Sequence, residues 1–189
     1  MNKSELRKQL RATRRNHVNK LPDKMRGLIF RHPPGLILNK IKTGSKIGLY
    51  HETDYEAPTS AYATFFKDAG HEIALPFFTS RTAPMEFRLY SDPEGKTDLE
   101  LGPIGLLQPT GAGHPVVPDV LFVPLIGFTK NGDRLGQGGG HYDIWLADHP
   151  GRIAIGLAWD VQLCEALPIE PHDIKLDAVI TPTRIYGTN

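Results

Sequence analysis

The run Arg134-Leu135-Gly136-Gln137-Gly138-Gly139-Gly140-His141-Tyr142-Asp143 is the densest chemical signal in the chain, with four glycines in the five positions from 136 to 140. Without Cβ atoms, such a loop lets backbone N–H groups converge on an anion. A helix beginning just after it adds the partial positive charge of its N-terminus. Arg134 adds a planar cationic fork. Asp143, at the far end, is the residue type that holds Mg²⁺ against phosphate oxygens. A polyphosphate needs these parts together. A glycine cluster between a strand and a helix is also often no more than a tight turn, and residue types alone leave both uses open. Two phosphate-loop patterns are excluded. No Gly-Lys-Ser/Thr follows, as a Walker loop requires. A dinucleotide fingerprint beginning at Gly136 needs Gly or Ala at position 141, where His141 stands.

Regular elements must hold this loop. Residues 119–125 read as a buried strand, 126–140 as a long glycine-rich loop and 141–147 as a helix. Upstream, 4–20 reads as a helix with Leu6 and Leu10 on one face and Arg7, Arg11 and Arg14 or Arg15 on a neighbouring one. Asn2 and Glu5 have the spacing of a capping box for it. A second helix is expected over 22–31, stopped by Pro33-Pro34-Gly35. Residues 46–51 read as a strand. Pro58 suits a first helical turn, and Ala61, Tyr62, Phe65, Phe66 and Ala69 keep helical spacing until Gly70 ends the run. Strands are expected over 71–78, 85–90, 152–159 and 176–181, and a short helix over 161–166. Residues 91–118 read mostly as loop. Strands alternating with helices predict an α/β fold: a single domain over 1–189, with a mainly parallel sheet flanked by helices on both faces.

Composition sets the wider bounds. A hydrophobic fraction of 40% and a charged fraction of 23% are those of a folded globular chain. The single cysteine, Cys164, forbids an internal disulfide. No apolar run reaches the ~20 residues of a membrane helix, and the charged opening lacks a secretory stretch. A cytoplasmic protein with no membrane partner is expected. The net charge of +1 is unevenly placed: residues 1–26 carry nine Lys or Arg and two acids, so this segment is +7 on a body of −6. An anionic partner near the N-terminus is expected.

The stretch Val123-Pro124-Leu125-Ile126-Gly127-Phe128, followed by Asn131-Gly132-Asp133 and the loop from Arg134 to Asp143, resembles the signature of the 5-formyltetrahydrofolate cyclo-ligases, also called 5,10-methenyltetrahydrofolate synthetases. The resemblance covers nearly the whole chain. Lys3-x-x-x-Arg7 is similar to the family's N-terminal ATP-contacting element. Glu56 looks like its acidic folate contact, Met85 like a pocket residue packed on the folate, and residues 105–109 like the loop before the central strand. His172-Asp173 looks like its late His-Asp pair, whose Asp joins the magnesium site. Two positions depart from the family pattern: Thr129 where Asp is usual, and His141 where Tyr or Phe is usual. They bear on how the loop packs and how the folate is held.

The reaction this resemblance implies is ATP plus 5-formyltetrahydrofolate giving 5,10-methenyltetrahydrofolate, ADP and phosphate. It implies ATP contacts from Lys3, Arg7, Arg134, Leu135, Gly136, Gln137, Gly138, Gly139, Gly140, His141 and Tyr142. It implies folate contacts from Glu56, Met85 and residues Gln137, Gly138, Gly139, Gly140 and His141. Arg134 and Asp143 would be the catalytic residues, Asp143 and Asp173 the Mg²⁺ ligands, and the chain a monomer. Without the resemblance, Lys3 and Arg7 read as solvated helix charges, Glu56 as a helix-start residue, Met85 as core and Asp173 as a loop cap. The remaining histidines lack zinc-ligand spacing, and Trp145 and Trp159 read as packing. Competing readings are a nucleic-acid-binding module built on the basic N-terminal segment, a divergent relative that binds ATP but uses another substrate or none, and a purely structural domain. No aromatic residues are interleaved with the basic segment, so no nucleic-acid partner is expected.

Overall fold

The computed structural model describes residues 2–26 and 28–187. Helix α1 (Lys3–Lys20) carries the expected capping box: the Asn2 side chain accepts from the Glu5 N–H, and the Glu5 carboxylate accepts from the Asn2 N–H. The sheet has eight strands in the order β12-β11-β10-β7-β1-β2-β3-β6. These are β1 (Lys46–Gly48), β2 (Glu72–Phe77), β3 (Glu86–Leu89), β6 (Pro115–Val116), β7 (Val120–Pro124), β10 (Ile153–Leu157), β11 (Ala178–Ile180) and β12 (Ile185–Tyr186). Five central strands, from β11 to β2, run parallel, and the edges are antiparallel.

Alternation along the central strands builds two cores. Val120 and Phe122 of β7 face one side with Ile155, Leu157, Ile73 and Leu75, against Tyr62 and Phe66 of α4 (Ser60–Asp68) and Val18 of α1. Leu121 and Val123 face the other side with Ala154 and Val179, against Trp145 and Leu146 of α5 (His141–Asp148). Helices therefore cover both faces, as parallel strands buried on both sides require.

Two crossovers set where a ligand can sit. α4 carries the chain from β1 to its neighbour β2, while α5 carries it from β7 to β10 on the other side. The chain thus turns in opposite directions from the adjacent strands β1 and β7, and the crevice at their C-terminal ends is the topological switch point at which α/β sheets bind ligands.

Several expected elements differ. The helix expected over 22–31 is only α2 (Asp23–Arg26), followed by turns at 28–30 (position 27 lies outside the described residues). Pro34 does not merely stop a helix; its φ of −62° caps a new one, α3 (Gly35–Leu38), because a fixed proline φ suits a helix start. α4 begins at Ser60, so Pro58 lies outside its first turn. The stretch 91–118 contains β6 and a hairpin of β4 (Leu99–Leu101) and β5 (Leu107–Pro109). The expected loop 126–140 opens with a hairpin of β8 (Gly127–Phe128) and β9 (Arg134–Leu135). The helix expected over 161–166 is a single 3-10 turn, Asp160–Gln162, because the Gln162 side chain is turned back to accept from the Trp159 N–H and donate to the carbonyls of Leu125 and Ile126.

Candidate functional site

A cavity of about 560 Å³ opens at the switch point. Tyr50 and His51 enter it just after β1, Phe78 just after β2, and Pro124 ends β7 at its wall. The glycine loop from Arg134 to Asp143 forms one side. Lys3, Arg7, Glu56, Met85 and Asp173 line it as well, so every sequence-selected site residue meets in one place.

The loop presents donors. Among the described residues, none of the backbone N–H groups of residues 138–142 donates to a protein acceptor, and all five residues line the cavity. α5 begins at His141, which leaves its first N–H groups without intrahelical partners. Unpaired donors on a cavity wall beside a helix N-terminus are an anion seat.

α1 supplies cations to the same place. The Lys3 ammonium lies 2.7 Å from Asp173 Oδ2 and 2.6 Å from Glu170 Oε2. Arg7 Nε donates to the Gly136 carbonyl at 2.9 Å. Arg11 donates to the Gln137 carbonyl at 3.1 Å and to its side-chain oxygen at 2.9 Å. The basic face expected to meet an anionic partner is thus turned onto the cavity rim.

Arg134 is almost fully buried, with 4% of its side chain exposed, and it holds Asp143 at 2.7 Å. The other Asp143 oxygen accepts from the Ile174 N–H at 3.1 Å. That bond ties the first turn of α5 to the segment carrying Asp173, so the two carboxylates share one end of the cavity. Asp173 Oδ2 also accepts from the Glu170 N–H at 2.8 Å. Burial raises the Asp173 pKa, but the Lys3 and Glu170 hydrogen bonds outweigh it and leave the group below its ordinary value. Burial lowers Lys3, and the same bonds to Asp173 and Glu170 lift it above the ordinary value. Glu170, His172 and Asp173 place ligand atoms within 4.8 Å of one another around this point. The Glu170 and Asp173 oxygens are the donor type that a hard divalent cation takes, the His172 nitrogen is not, and the Lys3 ammonium lies between the two carboxylates.

Glu56 does not start a helix. Its carboxylate accepts from the Thr53 N–H at 3.0 Å and from the Gln137 side chain at 3.1 Å. The N–H of Thr59, just before α4, is taken by Glu52 instead, and the Thr59 hydroxyl lies within hydrogen-bond distance of both the Tyr50 carbonyl and the Glu52 carboxylate. Met85 is buried core, as its plain reading held, and lines the cavity too. His141 sets its ring edge-on to Phe78, with centroids 4.9 Å apart. Thr129 lies in the β8–β9 turn. Its hydroxyl donates to Asp133 Oδ2 at 2.8 Å and accepts from the Asp133 N–H at 3.2 Å, so the departure there concerns the hairpin. Burial, and then the Glu56 charge, push the Tyr142 hydroxyl well above its ordinary pKa, so it stays a neutral phenol.

Sequence reasoning missed the apolar half of the cavity. Ile104, Leu106 and Leu107, around the β4–β5 hairpin, line it beside Pro76 and Phe78. Gln108 staples that hairpin to the end of β2: its side chain accepts from the Phe78 N–H at 3.1 Å and donates to the Phe78 carbonyl at 3.3 Å. The apolar cluster at 104–107, inside a glycine- and proline-rich stretch, was the available signal. Trp159 is packing, as read, yet its indole N–H also donates to the Tyr55 carbonyl at 3.1 Å.

An α/β sheet with an anion-seating glycine loop at its switch point, facing an apolar wall, defines the class: an α/β protein with a ligand pocket that sets donors for an anion opposite an apolar surface. The chain matches the family described as the 5-formyltetrahydrofolate cyclo-ligase family over residues 1–182. It is 32% identical over 146 residues to the 5-formyltetrahydrofolate cyclo-ligase of Escherichia coli (strain K12), spanning 74% of this chain and 79% of that protein. It is 29% identical over 180 residues to the 5-formyltetrahydrofolate cyclo-ligase of Haemophilus influenzae, spanning 92% and 94%. The NMR structure of Aquifex aeolicus 5,10-methenyltetrahydrofolate synthetase superposes with a TM-score of 0.76 at 26% identity, over 100% of this chain and 94% of that one. The chain belongs to the 5-formyltetrahydrofolate cyclo-ligase family.

Proposed function

We propose that this chain is an ATP-dependent enzyme that converts 5-formyltetrahydrofolate to 5,10-methenyltetrahydrofolate, releasing ADP and phosphate. The observation that carries the reading is the convergence of the unpaired N–H groups of residues 138–142 and an apolar wall on one cavity. The formyl oxygen attacks the γ-phosphorus of ATP and ADP leaves. N10 of the folate then attacks the activated formyl carbon, loses its proton, and phosphate departs with the former formyl oxygen. No protein nucleophile is needed; positioning and charge neutralisation suffice.

The loop backbone from 136 to 142, with Lys3 and Arg7, holds the phosphates, and Arg134 fixes Asp143 beside them. Asp143 and Asp173 would hold Mg²⁺, which when bound neutralises charge on the phosphates. Glu56 accepts from pterin N–H groups, and Met85 and Phe78 pack on the ring system, with Gln137 to His141 bordering the formyl group. A monomer is the oligomeric state that we propose. Among the described residues no helix is long and apolar enough to cross a membrane, and a cytoplasmic setting fits ATP and a folate as substrates.

The test is the near-ultraviolet absorbance of the methenyl product in a mixture of protein, ATP, Mg²⁺ and 5-formyltetrahydrofolate. We expect a rise that requires all four components. A flat trace from folded protein that binds ATP would refute the folate assignment while leaving the phosphate seat in place.

The Lys3–Asp173 pair gives a second expectation. Asp173, depressed when folded, contributes stability present above its unfolded value near ~4 and lost as pH falls through the lower folded value. Lys3, raised when folded, contributes stability present below its unfolded value near ~10 and lost as pH rises through the higher folded one. The clasp is therefore intact across the neutral range. Lys3→Met should raise KM for ATP about tenfold, the scale of a charge-assisted hydrogen bond. That deficit should stay constant from about pH 5.5 to about pH 9, and a deficit that vanishes at either end would show that the pair is not ionised there.

A further inference from the structure

We propose that Arg14 is a positioning residue for folate recognition: it holds the Glu56 carboxylate against the cavity wall without touching the ligand itself. This rests on the cavity being the folate site. Arg14 is buried, with 7% of its side chain exposed against 8% for Glu56, and its Nη1 lies 3.9 Å from Glu56 Oε1. The same nitrogen donates to the Leu125 carbonyl at 3.3 Å, and Nε is buried with no partner among the described residues. Glu56 lines the cavity and Arg14 does not. A guanidinium withdrawn from water without a full set of acceptors is a poor way to fasten a helix, since apolar side chains of similar volume hold as well. What the pair supplies instead is an oriented negative charge at the cavity wall.

The surroundings favour orientation over packing. The backbone on either side of Glu56 is clamped: the Trp159 indole donates to the Tyr55 carbonyl at 3.1 Å, and the Tyr50 hydroxyl donates to the Ala57 carbonyl at 2.6 Å. Thr53 N–H fixes Oε2 and the Gln137 side chain fixes Oε1, and Arg11 holds that Gln137 in turn. Arg11 and Arg14 are three apart on α1 and share a face. One helix therefore governs both ends of the Glu56–Gln137 bridge, which joins the segment after β1 to the glycine loop after β7. Arg14 is the cation within ion-pair distance of Glu56 among the described residues.

The experiment is steady-state kinetics on Arg14→Met, Arg14→Lys, Glu56→Gln and the Arg14→Met/Glu56→Gln double variant, with melting temperatures for each. Arg14→Met should raise KM for 5-formyltetrahydrofolate about tenfold, with kcat and KM for ATP changed by no more than about twofold. Arg14→Lys should recover most of the loss, because it returns a cation. In the Glu56→Gln background, Arg14→Met should change the folate KM by less than about twofold, since the group it positions is gone. An equal effect of Arg14→Met in both backgrounds would overturn the proposal, as would a parallel rise in both KM values with a lowered melting temperature. An unchanged folate KM in Arg14→Met overturns it outright. If the wild-type chain neither binds nor converts the folate, the reading of the cavity fails first and takes this inference with it.

Discussion

Arg134→Met is expected to lower kcat by about 10³-fold, the scale at which an arginine serves phosphoryl transfer. It should also destabilise the protein. Arg134 and Asp143 are 4% and 14% exposed in their side chains and 2.7 Å apart. Removing the guanidinium leaves a mostly buried carboxylate at the cavity wall with the Ile174 N–H as its remaining donor among the described residues. Breaking such a pair costs about 3–5 kcal/mol, or roughly 6–20 °C in melting temperature for a chain of this size. Stability and chemistry are separated by Arg134→Met/Asp143→Leu. Replacing both partners with apolar side chains removes the uncompensated charge, so the double variant should regain most of the lost melting temperature and remain inactive. Recovery of turnover along with stability would show that the pair only fastens the loop.

Gly132→Ala should destabilise the protein through its backbone. Gly132 has φ +83°, a conformation that side chains resist, and it turns the hairpin between β8 and β9. Its N–H donates to the Thr129 carbonyl at 3.1 Å, and its carbonyl accepts from the Leu176 N–H at 2.9 Å. An added Cβ would run into the Leu176 carbonyl oxygen, which is backbone and has no rotamer to escape through. Conformational strain and displaced backbone together should cost about 3 kcal/mol, or roughly 6–12 °C. Gly151 is the control: its φ of +81° is similar, but an added Cβ there meets nothing within 4 Å. Gly151→Ala should cost about 1 kcal/mol, or roughly 2–4 °C. Equal losses in the two variants, measured by thermal denaturation, would show that the contact with Leu176 is not limiting. Because Arg134 sits in β9, at the foot of this turn, Gly132→Ala should also weaken ATP binding.

The residue patterns that repeat over short distances were readable in advance. The Leu6–Leu10 spacing and the Asn2–Glu5 box announced α1, and the apolar run after Asp119 announced β7, because helix period and strand burial are local properties. Alternation of strands and helices carried the fold class. The glycine run at 136–140 announced the loop because its need for backbone room is written in residue type. Several short elements escaped: α3, β4, β5, β6, β8, β9 and β12, of two to four residues each, have too little pattern to rise above loop. Their hydrogen-bond partners are distant in sequence or set by a turn.

At the site, the chain itself determined which residues carry charge and where backbone donors are left bare. The glycine loop with Arg134 and Asp143 stood out by type and spacing, whereas Lys3, Arg7, Glu56 and Asp173 stood out only through the resemblance. The tertiary structure alone decided how those charges are spent. Asp143 and Arg134 became a buried pair, Lys3 became the counter-ion of Asp173 and Glu170, and Arg14, a face-lining charge by sequence, was turned inward on Glu56. It also decided that residues 104–107 form the apolar wall, since only the sheet's switch point brings that hairpin opposite the glycine loop. The physical reason is that ion pairing and cavity shape depend on through-space distances of a few ångström between segments up to 170 residues apart, and no local pattern encodes those.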